Sequence, residues 1–179
     1  MEEQVITQPS IEIDLLRHMQ VAEGYIELGM YADAESELEQ IEDANRDIPP
    51  VLTLQVCIYA GLEKWSLMQL VASKMVRHFP DDAQWRIWWA EAASRAESIE
   101  VAKKILVEAL EKYPNHAEIH YDLSCYESRL HHFHRARRHL ARAIQLDSRF
   151  HLIALNDGDL RPLWEKLVEA EELKEIAGS

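Results

Sequence analysis

Hydrophobic residues recur along the chain in steps of 34 positions. The matching segments RHFPDDAQ and EKYPNHAE place Pro80 and Pro114 one step apart. Four apolar columns keep the same step over four copies without an insertion: Tyr31, Trp65, Ile99 and Phe133; Ala34, Met68, Ala102 and Ala136; Leu38, Ala72, Leu106 and Leu140; Ile41, Met75, Ala109 and Ala143. A fixed period of this length predicts an array of repeats, each of which is one supersecondary unit.

Within one step, the apolar positions form two helical stripes. In the first copy, Leu15 and Tyr25 lie on one stripe, and Gly29 ends that helix. A second stripe runs from Tyr31 to Ile41, and a polar turn then leads to Pro49. Such a hairpin buries its apolar face only by stacking on its neighbours. The sequence therefore predicts an all-α chain in which an N-terminal segment precedes four hairpins, with the bounds 1–14 for the segment and 15–48, 49–82, 83–116 and 117–148 for the hairpins.

The period fails after Phe150. The segment 149–179 is predicted to turn at Asn156–Gly158 and then to form a helix from Asp159. Its apolar stripe consists of Leu160, Leu163, Trp164, Leu167 and Val168. Terminal repeats need a cover with a polar outer face, so we expect a C-terminal capping helix; a partner-binding tail is the alternative.

The repeat resembles the tetratricopeptide repeat (TPR), whose signature is W-x2-L-G-x2-Y, then A-x3-F, then P. The first copy matches it with His18, Val21, Ala22, Tyr25, Ala34 and Leu38, and the third with Arg86, Trp89, Ala90, Ala93, Ala102, Leu106 and Pro114. Three residues depart from it: Gln55, Met68 and Glu127. The resemblance covers residues 15–148 and implies an α-solenoid, whose first helices line a concave, protein-binding groove.

The groove is predicted on the face opposite the packing stripe of each first helix. We expect its partner-binding residues to be Met19, Glu23, Ile26, Cys57, Ile87, Trp88, Glu91, Tyr121 and Cys125. This face has acidic and apolar residues but no central Lys, Asn or Arg, which argues against a clamp for C-terminal carboxylates. It favours a protein or peptide segment with basic and apolar residues. The alternative is that the chain's own N- or C-terminal segment fills the groove.

Charge narrows the choice of partners. The chain has 179 residues and a net charge of −13, which disfavours nucleic acid and anionic lipid. A basic stretch at 129–149 makes Arg135, Arg137, Arg138 and Arg142 a possible basic patch. Because residues 1–50 are strongly acidic, copies could associate head to tail, and we expect a monomer or a weak, salt-sensitive homodimer. The N-terminus has no signal-peptide pattern and the chain has no apolar run that could span a membrane, so a cytoplasmic location is expected.

Candidate chemistry is sparse. No glycine pattern suits a phosphate-binding loop, and Cys57 and Cys125 cannot form a disulfide framework. We therefore expect no enzyme activity, no cofactor and no metal. The rival class is a metal-binding or enzymatic protein that uses the His-rich segment 131–139. Against it, His134 and His139 lack the i, i+4 spacing of a helical metal pair, and no cysteine or acid is expected near them. The preferred function is an adaptor or scaffold, and a chaperone like those of type III secretion is the alternative.

Overall fold

The computed structural model describes the backbone of residues 9–177 and the side chains of residues 13–169. This part of the chain is helical throughout, with no strand. Contacts divide the chain into two compact units on either side of the Phe79–Pro80 bond. Each unit is built from helical hairpins.

The described part of unit one contains five helices. They are α1 (Pro9–Glu27), α2 (Tyr31–Leu38), the short α3 (Asp43–Arg46), α4 (Pro49–Gly61) and α5 (Trp65–His78). Its core gathers buried residues from α1, α2 and α4 together with Ile41: Ala22, Ala34, Leu38, Ile41, Val51, Leu54 and Ile58. Gly61 is required where α4 ends, because a Cβ there would clash with the Tyr31 ring.

Unit two, as far as its residues are described, contains six helices and one 3-10 turn. They are α6 (Ala83–Ala96), α7 (Ile99–Lys112), α8 (Ala117–Arg129), α9 (Phe133–Leu146), α10 (Arg149–Asn156), the 3-10 turn (Gly158–Leu160) and α11 (Arg161–Ala177). One core lies between α6, α7 and α8 and includes Ile87, Leu106, Ile119 and Leu123. A second core joins α8 and α9 to the C-terminal segment through Leu140, Leu160 and Leu163.

The helix starts follow the period of the sequence. Helices α4, α6 and α8 begin at Pro49, Ala83 and Ala117, and the helices α2, α5, α7 and α9 begin at the first apolar column. Local signals fix two of these starts. The Asp82 carboxylate accepts from the Gln84 N–H at 2.9 Å, and the Ser98 hydroxyl accepts from the Val101 N–H at 3.2 Å.

The turn between the helices of a hairpin repeats one backbone conformation. Gly29, Glu63 and His131 occupy equivalent positions in the first, second and fourth hairpins, and all three have positive φ, between 55° and 70°. The third hairpin differs, because Glu97 has a φ of −125° and Ser98 caps the next helix. In these three hairpins the turn therefore adopts the left-handed conformation whether or not glycine is present.

The structure corrects three expectations about segment bounds. Helix α1 already includes Pro9, the first described residue, and so extends into the segment 1–14 that we expected to precede the array. The polar turn before Pro49 contains α3. After the period fails, the chain forms an unexpected helix, α10, and the capping helix begins at Arg161 because a 3-10 turn occupies Gly158–Leu160.

None of the described helices is long and apolar enough to cross a membrane.

Candidate partner-binding site

A cavity of about 270 Å³ lies between α6 and α8 in unit two. Helix α6 lines it with Ile87, Trp88, Glu91, Ser94 and Arg95. Helix α8 lines it with Glu118, Asp122, Tyr126 and Arg129, and the 3-10 turn adds Asp159. Three of the residues predicted for the groove, Ile87, Trp88 and Glu91, are therefore brought together here.

Two aromatic side chains form the apolar part of this cavity. Trp88 is half-buried, and its ring packs edge-to-face on the buried Trp85 ring with centroids 4.9 Å apart. Tyr126 is 6% exposed and belongs to the core between α6, α7 and α8. Burial raises the pKa of the Tyr126 hydroxyl, so the group stays neutral. The cavity thus combines apolar faces with a neutral hydroxyl.

The remaining wall is acidic. Burial raises the pKa of Asp122 well above its ordinary value, and the charges of Glu118, Glu91 and Asp157 raise it further. Glu91 is exposed to solvent, yet partial burial also raises its pKa; Arg95 opposes this rise and Glu118 adds to it. The cavity therefore holds negative charges in an environment that disfavours them.

A second cavity, of about 380 Å³, adjoins the first. It is lined by Tyr121, Asp147, Arg149, Phe150 and Ile153, together with Glu118 and Asp122. Because Glu118 and Asp122 line both cavities, their carboxylates form the shared wall between them.

Two predicted groove residues, Tyr121 and Cys125, are covered by the chain itself. The Tyr121 hydroxyl donates to Asp157 Oδ2 at 2.6 Å, and its ring stacks on Phe150 with centroids 4.6 Å apart. The Cys125 thiol lies 3.6 Å from the same carboxylate oxygen. Both residues are only 6% exposed. At the fourth hairpin, the C-terminal segment therefore packs on the face that carries these two residues, as in the alternative in which the chain's own terminal segment occupies the groove, and their role in partner binding stays a prediction.

The predicted groove residues of unit one lie apart from the two cavities described there. Met19 and Ile26 pack against the core of that unit, Cys57 is half-buried and Glu23 is exposed. Two cavities of about 230 and 150 Å³ are present in unit one, and none of these four residues lines either of them. Their role in partner binding therefore stays a prediction.

The predicted basic patch lies on α9. Arg135, Arg137 and Arg138 are exposed, while Arg142 is half-buried. Arg142 donates hydrogen bonds to Asn115 and Gln145 at 2.6 and 2.7 Å. Part of the patch is thus engaged by the protein.

An acidic residue that the sequence reasoning had not placed near the patch lies beneath it. Glu127 accepts from His132 Nδ1 at 2.7 Å and lies 3.6 Å from both Lys103 and Arg135. Glu127 is 3% exposed. The expectation that no acid adjoins the His-rich segment is therefore wrong.

The histidines form a pair that spacing along one helix could not predict. His120 Nδ1 and His139 Nδ1 lie 3.1 Å apart, and the His120 Nε2 atom is 3.0 Å from the Pro114 carbonyl oxygen. Burial, His120 and Arg138 together lower the pKa of His139 to about 4. Within residues 13–169, no group of three or more ligating side chains could hold a metal ion.

Comparison with known proteins identifies the fold. The sequence matches no family model and no curated protein. Among solved structures, the chain is similar to TTC0263, described as a thermophilic TPR protein in Thermus thermophilus, with a TM-score of 0.65, 17% identity and coverage of 88% of this chain and 90% of that one. It is also similar to MamA (41-end) from Desulfovibrio magneticus RS-1, with a TM-score of 0.64, 14% identity and coverage of 93% and 98%. These likenesses and the all-helical structure confirm the expected fold class: the chain has the tetratricopeptide-repeat fold, an α-solenoid type built from helical hairpins and closed by a C-terminal capping helix.

Proposed function

We propose that this protein is a non-catalytic interaction module that binds a segment of a partner protein between α6 and α8 in unit two. One observation carries the proposal: the cavity between α6 and α8 combines the half-buried Trp88 with an acidic wall. A concave site with an aromatic wall and a few convergent charges is the usual form of a binding site. The TPR fold of the solved neighbours supports a protein as the ligand.

The site differs from the groove that the sequence predicted in being confined to one unit. Ile87, Trp88 and Glu91 remain in it, and Glu118, Asp122 and Arg129 join them. A short segment with basic and apolar residues would suit these side chains, because its charge is opposite to that of the acidic wall.

Selection from a random-peptide display library on the immobilised full chain tests the proposal without knowledge of the native partner. We expect the selected peptides to compete with one another for one site. Trp88→Ala should weaken them at least about tenfold, because buried aromatic anchors carry much of the energy of an interface. Circular dichroism and urea unfolding should show that the variant is folded, since Trp88 also contacts Trp85.

Leu152→Ala is a matched control for non-specific apolar binding. Leu152 lies on α10, is 71% exposed and lines neither cavity of unit two. If the peptides lose affinity on Leu152→Ala but not on Trp88→Ala, the site lies on α10 and the proposal is wrong. If they depend instead on Arg135, Arg137 and Arg138, the site lies on the basic patch.

A further inference from the structure

Most charged residues around the two cavities of unit two have an oppositely charged neighbour. In the first cavity, Arg129 lies 3.4 Å from Asp159, and the charge of Arg95 acts on Glu91. These pairs neutralise two of the four carboxylates that line it. The cationic side chains of the cavity are thereby matched to acids that lie beside them.

The second cavity shows the same balance. Asp147 and Arg149 form an ion pair at 2.6 Å, reinforced by a hydrogen bond from the Arg149 N–H to Asp147 at 3.0 Å. The two carboxylates that remain are Glu118 and Asp122. Neither accepts a hydrogen bond nor forms an ion pair within the part of the chain whose side chains are described.

Asp122 is the more unusual of the two. The residue is half-buried and lines both cavities, and burial raises the pKa of its carboxyl group. A partly buried carboxylate without a partner is costly to the folded state. A cation placed in the cavity would remove that cost and would also interact with Glu118.

The cavity suits a side chain better than an ion. Trp88 and Tyr126 supply aromatic surfaces, and a cation over an aromatic face is attracted by the ring. The described side chains contain no cluster with the geometry of a metal site. A guanidinium or ammonium group at the end of an apolar stem matches a pocket whose walls are partly apolar and whose end is acidic.

We propose that the cavity between α6 and α8 receives one arginine or lysine side chain of the partner segment, with Asp122 and Glu118 as its ionic partners. This inference rests on the proposed function. It adds that one cationic residue of the segment is required and that it acts through these two carboxylates.

A proton readout accompanies the binding. The pKa of Asp122 is raised in the free protein, and a bound cation lowers it again. Binding should therefore release a proton near and below the raised pKa, and the affinity should rise as the pH increases through it. The other charges that face this carboxyl are Glu118, Glu91, Asp157, Asp159, Arg95 and Arg129, of which Arg129 and Asp159 are paired with each other.

The test uses the full chain and peptides selected from the display library. The cationic residue of a selected peptide is replaced by its neutral analogue, citrulline for arginine or acetyl-lysine for lysine. On the wild-type chain, we expect this change to weaken binding at least about tenfold. On the Asp122→Asn variant, the same replacement in the peptide should weaken binding less than about twofold, because the peptide cation no longer has a carboxylate at position 122 to interact with. Calorimetry in buffers of different ionisation enthalpy should show proton release for the wild type and little for the variant.

Asp33→Asn is the matched control. Asp33 is an exposed carboxylate in the first turn of α2, in unit one, and its loss should leave both the effect of the neutral analogue and the proton release unchanged. Unfolding curves check that Asp122→Asn is folded, and we expect it to be more stable than the wild type.

The remaining outcomes separate the two proposals. If the peptides depend on Trp88 but the neutral analogue has the same effect on wild type and Asp122→Asn, the pocket assignment is overturned and the proposed function stands. If the selected peptides share no basic residue, the pocket assignment is likewise overturned and the proposed function stands. If no selected peptide depends on Trp88, both proposals are overturned.

Discussion

Helix α8 carries two carboxylates only five residues apart, and their surroundings are opposite. Glu127 is 3% exposed and has three basic neighbours: the His132 imidazole at 2.7 Å and the cationic Lys103 and Arg135 at 3.6 Å. Asp122 faces three further acids and has no ion pair among the described residues. Burial of a charge is tolerated where neighbouring helices supply opposite charges and is unfavourable where they do not.

The two sides of helix α8 have different roles. Glu127 lies towards α7 and α9, and its partners tie these helices to α8 inside unit two. Asp122 lies towards the cavities, where Arg129 and Arg149 are paired with Asp159 and Asp147 and the charge of Arg95 acts on Glu91. Side chains of the protein itself satisfy the Glu127 carboxylate. We assign the Asp122 side to the binding of a partner protein.

The largest expected effect comes from removal of the satisfied carboxylate. Glu127→Ala should lower the free energy of unfolding by roughly 2–4 kcal/mol, because a buried side chain is lost together with its ionic contacts. Urea unfolding followed by circular dichroism measures this change. An effect below about 0.5 kcal/mol would mean that the three basic neighbours of Glu127 contribute nothing to stability, and Glu127 would then not differ from Asp122 in this respect.

Asp157 is an intermediate case, because its carboxylate accepts hydrogen bonds from uncharged groups, the Tyr121 hydroxyl, the Cys125 thiol and the Asp159 N–H. Tyr121→Phe removes the 2.6 Å hydrogen bond to Asp157 Oδ2 and should cost about 1–2 kcal/mol. Hydrogen exchange should become faster in 149–160, since this contact holds the C-terminal segment on α8. Faster exchange in α6 and α7 but not in this segment would contradict the role of the contact.

Asp122→Asn should raise the free energy of unfolding, in contrast to the two preceding substitutions. We expect a gain of about 1 kcal/mol at neutral pH, which raises Tm by roughly 2–4 °C in a chain of this size. The pKa of Asp122 is raised in the folded state, so the folded protein binds this proton more tightly than the unfolded chain does. The cost of ionisation is therefore fully present above the raised pKa and declines as the pH falls towards 3.8. The gain from the substitution should disappear over the same range, as thermal unfolding at several pH values would show. A destabilised variant at pH 7 would mean that Asp122 has a partner in the folded chain.

The smallest expected effect concerns one exposed member of the Glu127 group. His132→Ala should cost about 0.5 kcal/mol, because Lys103 and Arg135 remain and the exposed histidine gains little from its contact. Arg137→Ala on the neighbouring helix α9 is the matched control, since Arg137 is exposed and makes no hydrogen bond or ion pair among the described residues. Equal unfolding curves for the two variants would show that His132 adds nothing to the group.

The repeats could be predicted because their signal is local and recurs. The apolar column at Tyr31, Trp65, Ile99 and Phe133 marks the first residue of the second helix in all four hairpins. Helix α10 could not be predicted in the same way, because it lies outside the period and leaves Leu152, Ile153 and Leu155 largely exposed. Its position depends on contacts such as Phe150 with Tyr121, which are distant in sequence.

The candidate site contains Ile87, Trp88 and Glu91, which were predicted on α6. On α8, the predicted Tyr121 and Cys125 each come one position before Asp122 and Tyr126, which line this cavity. A helix turns about 100° per residue, so adjacent positions are difficult to separate by pattern alone. The C-terminal segment covers Tyr121 and Cys125 through Asp157. No periodic signal in the sequence predicts that contact.

The left-handed turns imply that the protein has not been optimised for stability. At Glu63 and His131, the same backbone geometry that Gly29 adopts without strain is imposed on residues with a Cβ, which disfavours it by roughly 1 kcal/mol. In these turns, the packing of the two helices imposes the backbone conformation. The residue type at the turn can therefore vary, provided that other contacts in the array offset the strain. Adaptation to a hotter environment would have a simple route here: a single glycine at either turn relieves the strain and leaves both cavities of unit two unchanged.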